Sequence, residues 1–483
     1  MDSIAGISLD KAYQLLKGRR AKTVIVAVID NGVDILHEDL KKVIWTNLKE
    51  IPGNGADDDH NGFADDVHGW NFRGDKNGTT IENEQAASTQ LWLAWKSKYE
   101  NVDTGLLLPD AKKEYAIYRR AKKEYEAGLH SRDSNDIQFA YNAVYNTDEW
   151  IAKGSPQYTL SPNLSHGTHV AGIIGAERNN GLGMDGIADH VLIMPVIAST
   201  AVGDERDKDI AAAIRYAVDN GAGIISMSFS KRYSPGKQSV DEAIRYAEKK
   251  DVLVVHCAGN DGVDIDSAEN YHYPIAIDEN GSRATNFITV GWNRPLFDYR
   301  LAHPYSNYGK INVDVFAPGS DIFSTVPGNG YDYKSGSSMS APVVSGVAAL
   351  LRSYFPSLSA RQVKQILIGS AFHPNQLVNK PGTKTPVPFK NLSVSGGIIN
   401  AFNAVKMAIR VTSKNTRCKY PVSQTVCFRV FSFFASIIFH SSGVRLFKDS
   451  CGRRWLYSSI HSTVNCLTCS SSKNKYASST ASR

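Results

Sequence analysis

Most of the chain alternates between unbroken apolar runs and segments whose apolar residues recur at helical spacing. Runs of Val, Ile, Leu and Ala, typical of strands buried on both faces, predict strands at residues 23–29, 191–197, 222–229, 251–257 and 287–291. Helical spacing predicts helices at residues 207–220, 240–250, 340–354, 359–368 and 398–409. This alternation indicates an α/β fold with a mainly parallel central sheet and helices on both faces. Functional groups of such folds gather at the carboxyl ends of the strands.

Residues 75–160 interrupt this pattern because they are polar and rich in Glu, Lys, Tyr and Asn. The sequence AKKEY occurs twice within them, at residues 111–115 and 121–125. Apolar and aromatic side chains fall near one helical face, namely Ala111, Tyr115, Tyr118, Tyr125 and Leu129. We interpret the segment as an inserted helical surface hairpin or helix of the main domain.

The last part of the chain, residues 411–483, differs in composition from the rest. It has eleven Lys/Arg against one acidic residue, a net +10, so residues 1–410 carry −4 of the total +6. It also holds five of the six cysteines, and the other is Cys257. We predict a main domain at 1–410 without internal disulfides and a basic Ser/Cys-rich tail at 411–483 outside its core. The tail could be a flexible extension, a small cysteine-rich module or sequence unrelated to the fold.

The charge and hydropathy patterns exclude several classes of function. Because the positive charge lies in the tail, it does not indicate nucleic-acid binding by the main domain. The longest apolar stretch, residues 430–439, is about half the ~20 residues of a membrane helix, so no transmembrane segment is predicted. The first residues lack the basic and apolar regions of a secretory signal.

Four segments carry residues suited to hydrolytic chemistry. Asp30 ends the strand in VIVAVIDNGVD, and alone it could be a turn or capping residue. His166 lies near a helix start in SHGTHVAGIIGA, with His169 three residues on. Ser338 precedes a long apolar helix in SGSSMSAPVVSGVAALL, where a serine is usually only an N-cap. Asn260 ends the strand in VLVVHCAGN and could donate a hydrogen bond from its amide.

Taken together, VIDNGVD, HGTHVAG, AGN and GSSMSAP closely resemble the subtilisin-like serine peptidases, or subtilases, over residues 8–409. The insertion and the stretch IPGNGADDDHNGFADDVHGWNF resemble Bacteroidetes-type members. The resemblance implies a subtilisin-like three-layer fold and a serine endopeptidase that needs no cofactor for its chemistry. It implies that Ser338 is the nucleophile, His166 the general base and Asp30 the residue that orients His166. Asn260 and the Ser338 N–H would form the oxyanion hole, and His169 would be structural.

The resemblance also implies how a protein or peptide substrate is bound. The stretch IISMSFS, residues 224–230, matches the strand that pairs with an extended peptide in the family. Ser228, Phe229, Ser230 and Gly259 would border the pocket for the side chain that precedes the scissile bond. The sequence does not predict which side chain this pocket prefers.

An acidic loop near residue 60 resembles a calcium-binding loop. Asp57, Asp59, Asn61 and Asp65 supply hard oxygen ligands around a glycine. The twelfth position of an EF-hand, a glutamate, is His68 here, so the loop is not a complete EF-hand. Structural calcium is one interpretation, and a solvated acidic turn is the other.

Two further functions fit parts of the pattern. A catalytically silent subtilase fold could act as a binding or scaffold protein, although no triad residue is missing. A metal-dependent hydrolase could use His166 and His169, but the sequence offers no third ligand at a familiar spacing. Family resemblance implies a secreted or envelope location, whereas no signal peptide is evident, and the oligomeric state is not predicted.

Overall fold

The computed structural model describes residues 4–73, 86–127, 164–199, 204–417, 445–448, 454–458 and 463–466. The chain divides into two compact units, Met1–Ile409 and Arg410–Arg483. No helix within the described residues is long and apolar enough to cross a membrane.

The first unit contains a parallel sheet, two short hairpins and the helices around them. Its strands are β1 (Val24–Asp30), β2 (Trp70–Asn71), β3 (Val191–Ile197), β4 (Ile224–Met227), β5 (Leu253–Cys257), β6 (Phe287–Asn293), β7 (Val315–Pro318), β8 (Ile322–Val326), β9 (Gly330–Lys334), β10 (Leu377–Asn379) and β11 (Pro386–Pro388). Its helices are α1 (Leu9–Leu16), α2 (Ala87–Tyr99), α3 (Pro109–Glu126), α4 (Ser165–Gly175), α5 (Asp207–Asp219), α6 (Lys237–Lys249), α7 (Ser337–Tyr354) and α8 (Ala360–Gly369), and α9 (Ala401–Arg417) begins in it.

The central sheet has seven strands in the order β2-β3-β1-β4-β5-β6-β7. Every neighbouring pair in it is parallel. The chain leaves β1 towards β3 on one side and then returns to β4 on the other side. This reversal leaves a crevice at the carboxyl end of β1, where open α/β sheets bind ligands.

Helices cover both faces of the sheet and give three layers. On one face, Ile29 and Met227 of the sheet share a buried cluster with Ile214 of α5 and Ile244 of α6. On the other face α7 crosses strands β4 to β7, and the Ser345 hydroxyl donates to the Ser226 hydroxyl. Helix α4 packs beside α7 and against β1. The predicted α/β fold with a mainly parallel sheet and helices on both faces is confirmed.

Helices α2 and α3 form an antiparallel pair inside the segment predicted to be an insertion. The Trp92 ring stacks on Tyr125 at 4.1 Å, and buried Tyr118 donates a hydrogen bond to Glu100. Tyr233 of the main body packs against Leu91 of α2 and Ala121 of α3. The pair is therefore attached to the body by buried side chains, while predicted face residue Leu129 lies outside the described residues.

The predicted elements differ from the observed ones mainly at their ends. Strand 191–197 is reproduced, and the other four predicted strands differ by a few residues from β1, β4, β5 and β6. The last predicted helix, 398–409, is present as α9, but α9 begins three residues later and ends eight residues later, at Arg417. Short strands such as β2 and the β8–β9 hairpin were missed, since neither is a long apolar run. In the second unit, Arg445–Lys448, Arg454–Ser458 and Thr463–Cys466 pair as an antiparallel sheet, β12 to β14.

Candidate active site

The register of the central strands places several predicted site residues in one row. Ile29 is level with Met227, and Met227 is level with His256. The residues that follow these positions, Asp30, Ser228 and Cys257, are therefore level at the carboxyl edge of the sheet. Asn260 follows three residues later, after a turn at Gly259.

Asp30 is buried at the end of β1, with its side chain only 3% exposed. Its Oδ1 accepts a hydrogen bond from the Asn31 N–H at 2.8 Å. The Asn31 side chain accepts from the Gly167 N–H at 3.0 Å, which ties the start of α4 to this turn. A β-carbon at Gly167 would lie 2.2 Å from the Gly32 carbonyl oxygen, so only glycine permits this approach. The start of α4, which carries the HGTH sequence, therefore packs directly against the turn that follows β1.

His166 is the second residue of α4 and faces Asp30. Its Nδ1 lies 2.8 Å from Asp30 Oδ1 and 3.0 Å from Oδ2, so Nδ1–H donates to the carboxylate. This tautomer leaves Nε2 as a proton acceptor. Burial lowers the pKa of His166, but the charge of Asp30 and its hydrogen bond outweigh burial and raise the pKa above its ordinary value. The pair therefore has the geometry of an oriented general base.

Ser338 lies in the first turn of α7, where backbone N–H groups have no partner within the helix. Its hydroxyl donates to the Ser228 carbonyl at 2.9 Å, and the Ser228 hydroxyl donates to the Ser338 carbonyl at 2.9 Å. Among the described residues, no hydrogen bond joins Ser338 to His166. The Ser338 hydroxyl therefore binds the end of β4 in this structure.

Asn260 is exposed beside the start of α7. Its Oδ1 accepts a hydrogen bond from the Ser337 N–H at 2.9 Å. Because the amide oxygen is engaged in this way, Nδ2 is the atom that can donate to another group. The Ser337 hydroxyl in turn accepts from the Gly259 N–H at 3.1 Å. Asn260 and Ser338 are thus linked through one residue, Ser337.

The predicted substrate-binding residues lie around the same edge. Ser228 and Phe229 are buried directly after β4, and Ser230 is partly exposed. Gly259 has a φ of 96°, and a β-carbon on it would lie 3.0 Å from Ser230 Oγ. Gly259 and Ser230 are therefore neighbours and together form one wall at this edge of the sheet.

His169 occupies a different environment from His166. It is fully buried, and its Nε2 donates to the carbonyls of Ile322 at 3.0 Å and Asp332 at 3.1 Å. Burial lowers its pKa to about 4, so the ring is neutral. His169 fastens the β8–β9 hairpin to α4, in agreement with a structural role. His166 binds Asp30, whereas His169 binds two backbone carbonyls of the β8–β9 hairpin. The arrangement therefore does not support the metal-hydrolase alternative.

The acidic loop places only part of the predicted ligand set together. Carboxylate oxygens of Asp57, Asp59 and Glu50 lie within 4.8 Å of one another. The Asp65 carboxylate instead accepts from the N–H groups of Gly53 and Gly55 at 2.7 and 2.8 Å. Asp65, whose φ is 58°, therefore binds the backbone of the loop and is not among the three clustered carboxylates.

Asn61 lies beside this acidic group and donates its backbone N–H to Asp57 and Asp59 at 3.0 and 3.1 Å, while its side chain binds Phe63 N–H and Asp66. Sequence reasoning missed Glu50, which lies seven residues before the motif. No sequence signal marks Glu50. What distinguishes it is its burial, and burial is visible only in the structure.

Sequence reasoning also missed a charged cluster next to Asn260. Arg232 Nη2 donates to Asp261 Oδ1 at 2.6 Å, and His272 Nε2 lies 2.6 Å from Asp261 Oδ2. Neither histidine spacing nor charge pattern marked these residues. The position of Asp261 directly after the AGN motif was the one available signal.

Comparison with known proteins identifies the family. The subtilase family profile matches residues 21–397. A thermophilic serine proteinase of Bacillus sp. (strain AK1) is 41% identical over 189 residues, which cover 39% of this chain and 43% of that protein. Subtilisin-like protease 1 of Plasmodium vivax is 26% identical over 414 residues, which cover 83% of this chain and 50% of that protein.

Among solved structures, a protease from Pseudoalteromonas arctica has a TM-score of 0.48 and 22% identity, covering 84% of this chain and 96% of that one. The chain spans about half the length of the curated relatives it matches. The narrower resemblance to Bacteroidetes-type members stays a prediction, because none of the relatives named here is from that group. The profile match covers well over half of the 483 residues, so this chain belongs to the subtilase family.

Proposed function

We propose that the protein is a serine endopeptidase that cleaves peptide bonds through Asp30, His166 and Ser338. The observation that carries the proposal is the orientation of His166 by Asp30 at 2.8 Å. Asp30 is level with Ser228 on the neighbouring strand, whose carbonyl accepts from Ser338 in the first turn of α7. A buried carboxylate on Nδ1 fixes the tautomer whose Nε2 accepts a proton. It also stabilises the imidazolium that forms after proton transfer.

In the first half of the reaction, Ser338 Oγ attacks the carbonyl carbon of the scissile bond while its proton passes to His166 Nε2. The tetrahedral oxyanion accepts hydrogen bonds from Asn260 Nδ2 and from the Ser338 N–H. The C–N bond then breaks, and His166 returns the proton to the leaving amine. The product is an acyl-enzyme ester on Ser338.

In the second half, His166 takes a proton from water, and the oxygen attacks the ester carbon. The C–Oγ bond breaks, the proton returns to Ser338 and the carboxylic acid leaves. The substrate would lie extended beside Ser228, Phe229 and Ser230, paired mainly through its backbone. Backbone pairing accepts many sequences, so selectivity rests on the side-chain pockets.

We also propose that calcium stabilises the acidic loop through Glu50, Asp57 and Asp59. Oxygen atoms of the three carboxylates lie within 4.8 Å of one another, with Lys49 3.6 Å from Asp59, so a cation bound among them would reduce their mutual repulsion further. Glu50 is buried, and its two oxygens accept from the N–H groups of Asp59 and Asp65 at 3.2 and 2.9 Å, so it is fixed in place. Hard carboxylate oxygens are the ligands that calcium prefers. The ion would stabilise the fold and take no part in the reaction.

The experiment is to measure casein hydrolysis by the purified protein and by Ser338→Ala, His166→Ala and Ser340→Ala variants. Ser340→Ala is the matched control, because Ser340 lies on the same helix but its hydroxyl donates to the Ala317 carbonyl. We expect the first two variants to lose nearly all turnover, as in subtilisin, where such losses are about 10⁴–10⁶. Substantial activity in Ser338→Ala would refute the proposal.

A further inference from the structure

Two buried neighbours fix the direction of Arg232. Lys231 is fully buried, and its Nζ pairs with Asp207 at 2.8 Å. Tyr233 is also buried, and its hydroxyl donates to Glu124 of α3 at 2.9 Å. Arg232 lies at a bend between these two buried residues, and its own side chain is 46% exposed. It extends to Asp261, with Nη2 2.6 Å from Oδ1.

The other oxygen of Asp261 binds His272. The His272 side chain is 4% exposed, and its Nε2 lies 2.6 Å from Asp261 Oδ2. Its Nδ1 lies 2.8 Å from the Asn270 carbonyl oxygen. Both ring nitrogens thus face oxygen atoms that only accept, and only the imidazolium donates from both. The His272 ring is therefore held between Asp261 and the Asn270 carbonyl.

The cluster forms part of the wall made by Gly259 and Ser230. A β-carbon on Gly259 would lie 2.8 Å from His272 Cδ2 and 3.0 Å from Ser230 Oγ. Asp261 is the residue directly after Asn260, the proposed oxyanion donor. The charged groups consequently lie beside the pocket proposed for the side chain that precedes the scissile bond.

Arg232 keeps donor capacity beyond its ion pair. Among the described residues it binds Asp261 through Nη2 alone, while the other Asp261 oxygen faces His272, so the remaining guanidinium N–H groups can donate to a second carboxylate. Hydrogen bonds from His272, followed by those from Arg232, hold the pKa of Asp261 well below its usual range, so it stays ionised. On the adjoining helix α3, Arg120 and Glu124 pair with each other at 3.3 Å and contribute no net charge. Arg232 therefore lies at the exposed end of the wall, where a further carboxylate can reach its guanidinium.

We propose that Arg232, Asp261 and His272 make this pocket select an acidic side chain, Glu or Asp, immediately before the scissile bond. The inference rests on the endopeptidase function proposed above. The buried His272 ring limits the depth of the pocket. Arg232 is the cation that binds the substrate carboxylate. The α2–α3 pair acts as a positioning element, because it holds Tyr233 and with it the backbone that directs Arg232.

The test is a set of fluorogenic peptides that differ only in the residue before the scissile bond: Glu, Gln, Leu or Lys. Glu and Gln have nearly the same shape, so the ratio of their kcat/KM values reports charge selection. We expect this ratio to be about ten or more in the unmodified protein. In Arg232→Gln it should fall to near one, and in Arg232→Glu the Lys peptide should become better than the Glu peptide.

Arg300→Gln is the matched control. Arg300 is 48% exposed and pairs with Asp298 at 2.5 Å, much as Arg232 is 46% exposed and pairs with Asp261. Its removal should leave the Glu-to-Gln ratio unchanged. A ratio within about twofold of one in the unmodified protein, or the same ratio in Arg232→Gln, would overturn the inference.

Labelling of Ser338 by a fluorophosphonate distinguishes failure of the inference about an acidic side chain from failure of the proposed endopeptidase function. If Ser338 is labelled and peptides are cleaved without preference for Glu, the inference is wrong and the endopeptidase proposal stands. If Ser338 is not labelled and no peptide is cleaved, both are wrong. Equal labelling rates for the unmodified protein and Arg232→Gln would show that the variant is folded and that the change in ratio arises in the pocket.

Discussion

Ser228 and Ser338 bind each other through two reciprocal hydrogen bonds, each 2.9 Å long. In a regular helix the Ser338 carbonyl would accept from the N–H four residues later, but that residue is Pro342, which has none. The Ser228 hydroxyl supplies the missing donor. The end of β4, which is proposed to pair with substrate, is thereby joined to the first turn of α7, which carries the proposed nucleophile.

This relationship predicts an energetic coupling between Ser228 and Pro342. Ser228→Ala should lower the free energy of unfolding by about 1–3 kcal/mol, because a buried carbonyl loses its donor. Pro342→Ala restores an N–H, so the same substitution should cost less in that background. Denaturant unfolding of the four proteins, all carrying Ser338→Ala to prevent self-digestion, measures the coupling. Equal costs of Ser228→Ala in both backgrounds would contradict the assignment.

The Asp30–His166 pair predicts the pH dependence of activity. Asp30 stabilises the imidazolium and raises the pKa of His166, whereas catalysis needs neutral imidazole. The value of kcat/KM should therefore rise with pH and reach half its maximum above the ordinary imidazole value of about 6.5. Asp30→Asn should shift this midpoint to lower pH and reduce turnover by about 10⁴, the loss known for the equivalent change in a triad peptidase. Rate profiles between pH 5 and 10 on one peptide provide the comparison, and an identical midpoint in both proteins would count against the pair.

The acidic loop predicts stabilisation by calcium. Saturating calcium should raise the melting temperature by several degrees, since an ion at about 100 times its Kd contributes about 2.7 kcal/mol. Glu50→Gln should remove most of this shift, because it removes one of the three clustered carboxylates. Asp65→Asn is the control, since its carboxylate binds backbone N–H groups instead. The measurement is thermal unfolding of Ser338→Ala protein with calcium or with chelator, and an unchanged melting temperature would refute the site.

The division of the chain predicts that its last part is dispensable for activity. A chain ending at Arg417 keeps the whole of α9 and every residue assigned to the site. It should therefore retain the turnover and melting temperature of the full chain. The alternative truncation after Arg410 removes the last seven residues of α9 and should be less stable. Loss of activity or solubility on ending the chain at Arg417 would show that the tail belongs to the folded unit.

The strands around the site were predictable because parallel strands covered on both faces are continuous apolar runs. Strand 191–197 shows this most clearly, since its residues are almost all buried. Strand β2 has only two residues, Trp70 and Asn71, too few to form a pattern. The prediction for α9 ends too early because the residues after Ile409 are mostly polar and continue no apolar repeat, although the helix runs on to Arg417.

The proposed triad could be predicted because each residue lies in a motif that closes a strand or opens a helix. Burial and pairing could not be predicted in the same way. Glu50 joins Asp57 and Asp59 only because the loop folds back, whereas the Asp65 carboxylate binds the N–H groups of Gly53 and Gly55. The contact between His272 and Gly259 likewise depends on tertiary structure, because twelve residues separate the two in the chain.

The central claim, that Ser338 is a nucleophile activated by His166, is tested most directly by covalent labelling with a fluorophosphonate followed by peptide mass spectrometry. We predict a single labelled serine, Ser338, with labelling nearly abolished in His166→Ala and unchanged in Ser340→Ala. The proposed mechanism also requires labelling to block hydrolysis of casein in proportion to the fraction of protein modified. Labelling of another serine with casein hydrolysis intact, or equal labelling of Ser338 without His166, would contradict the account.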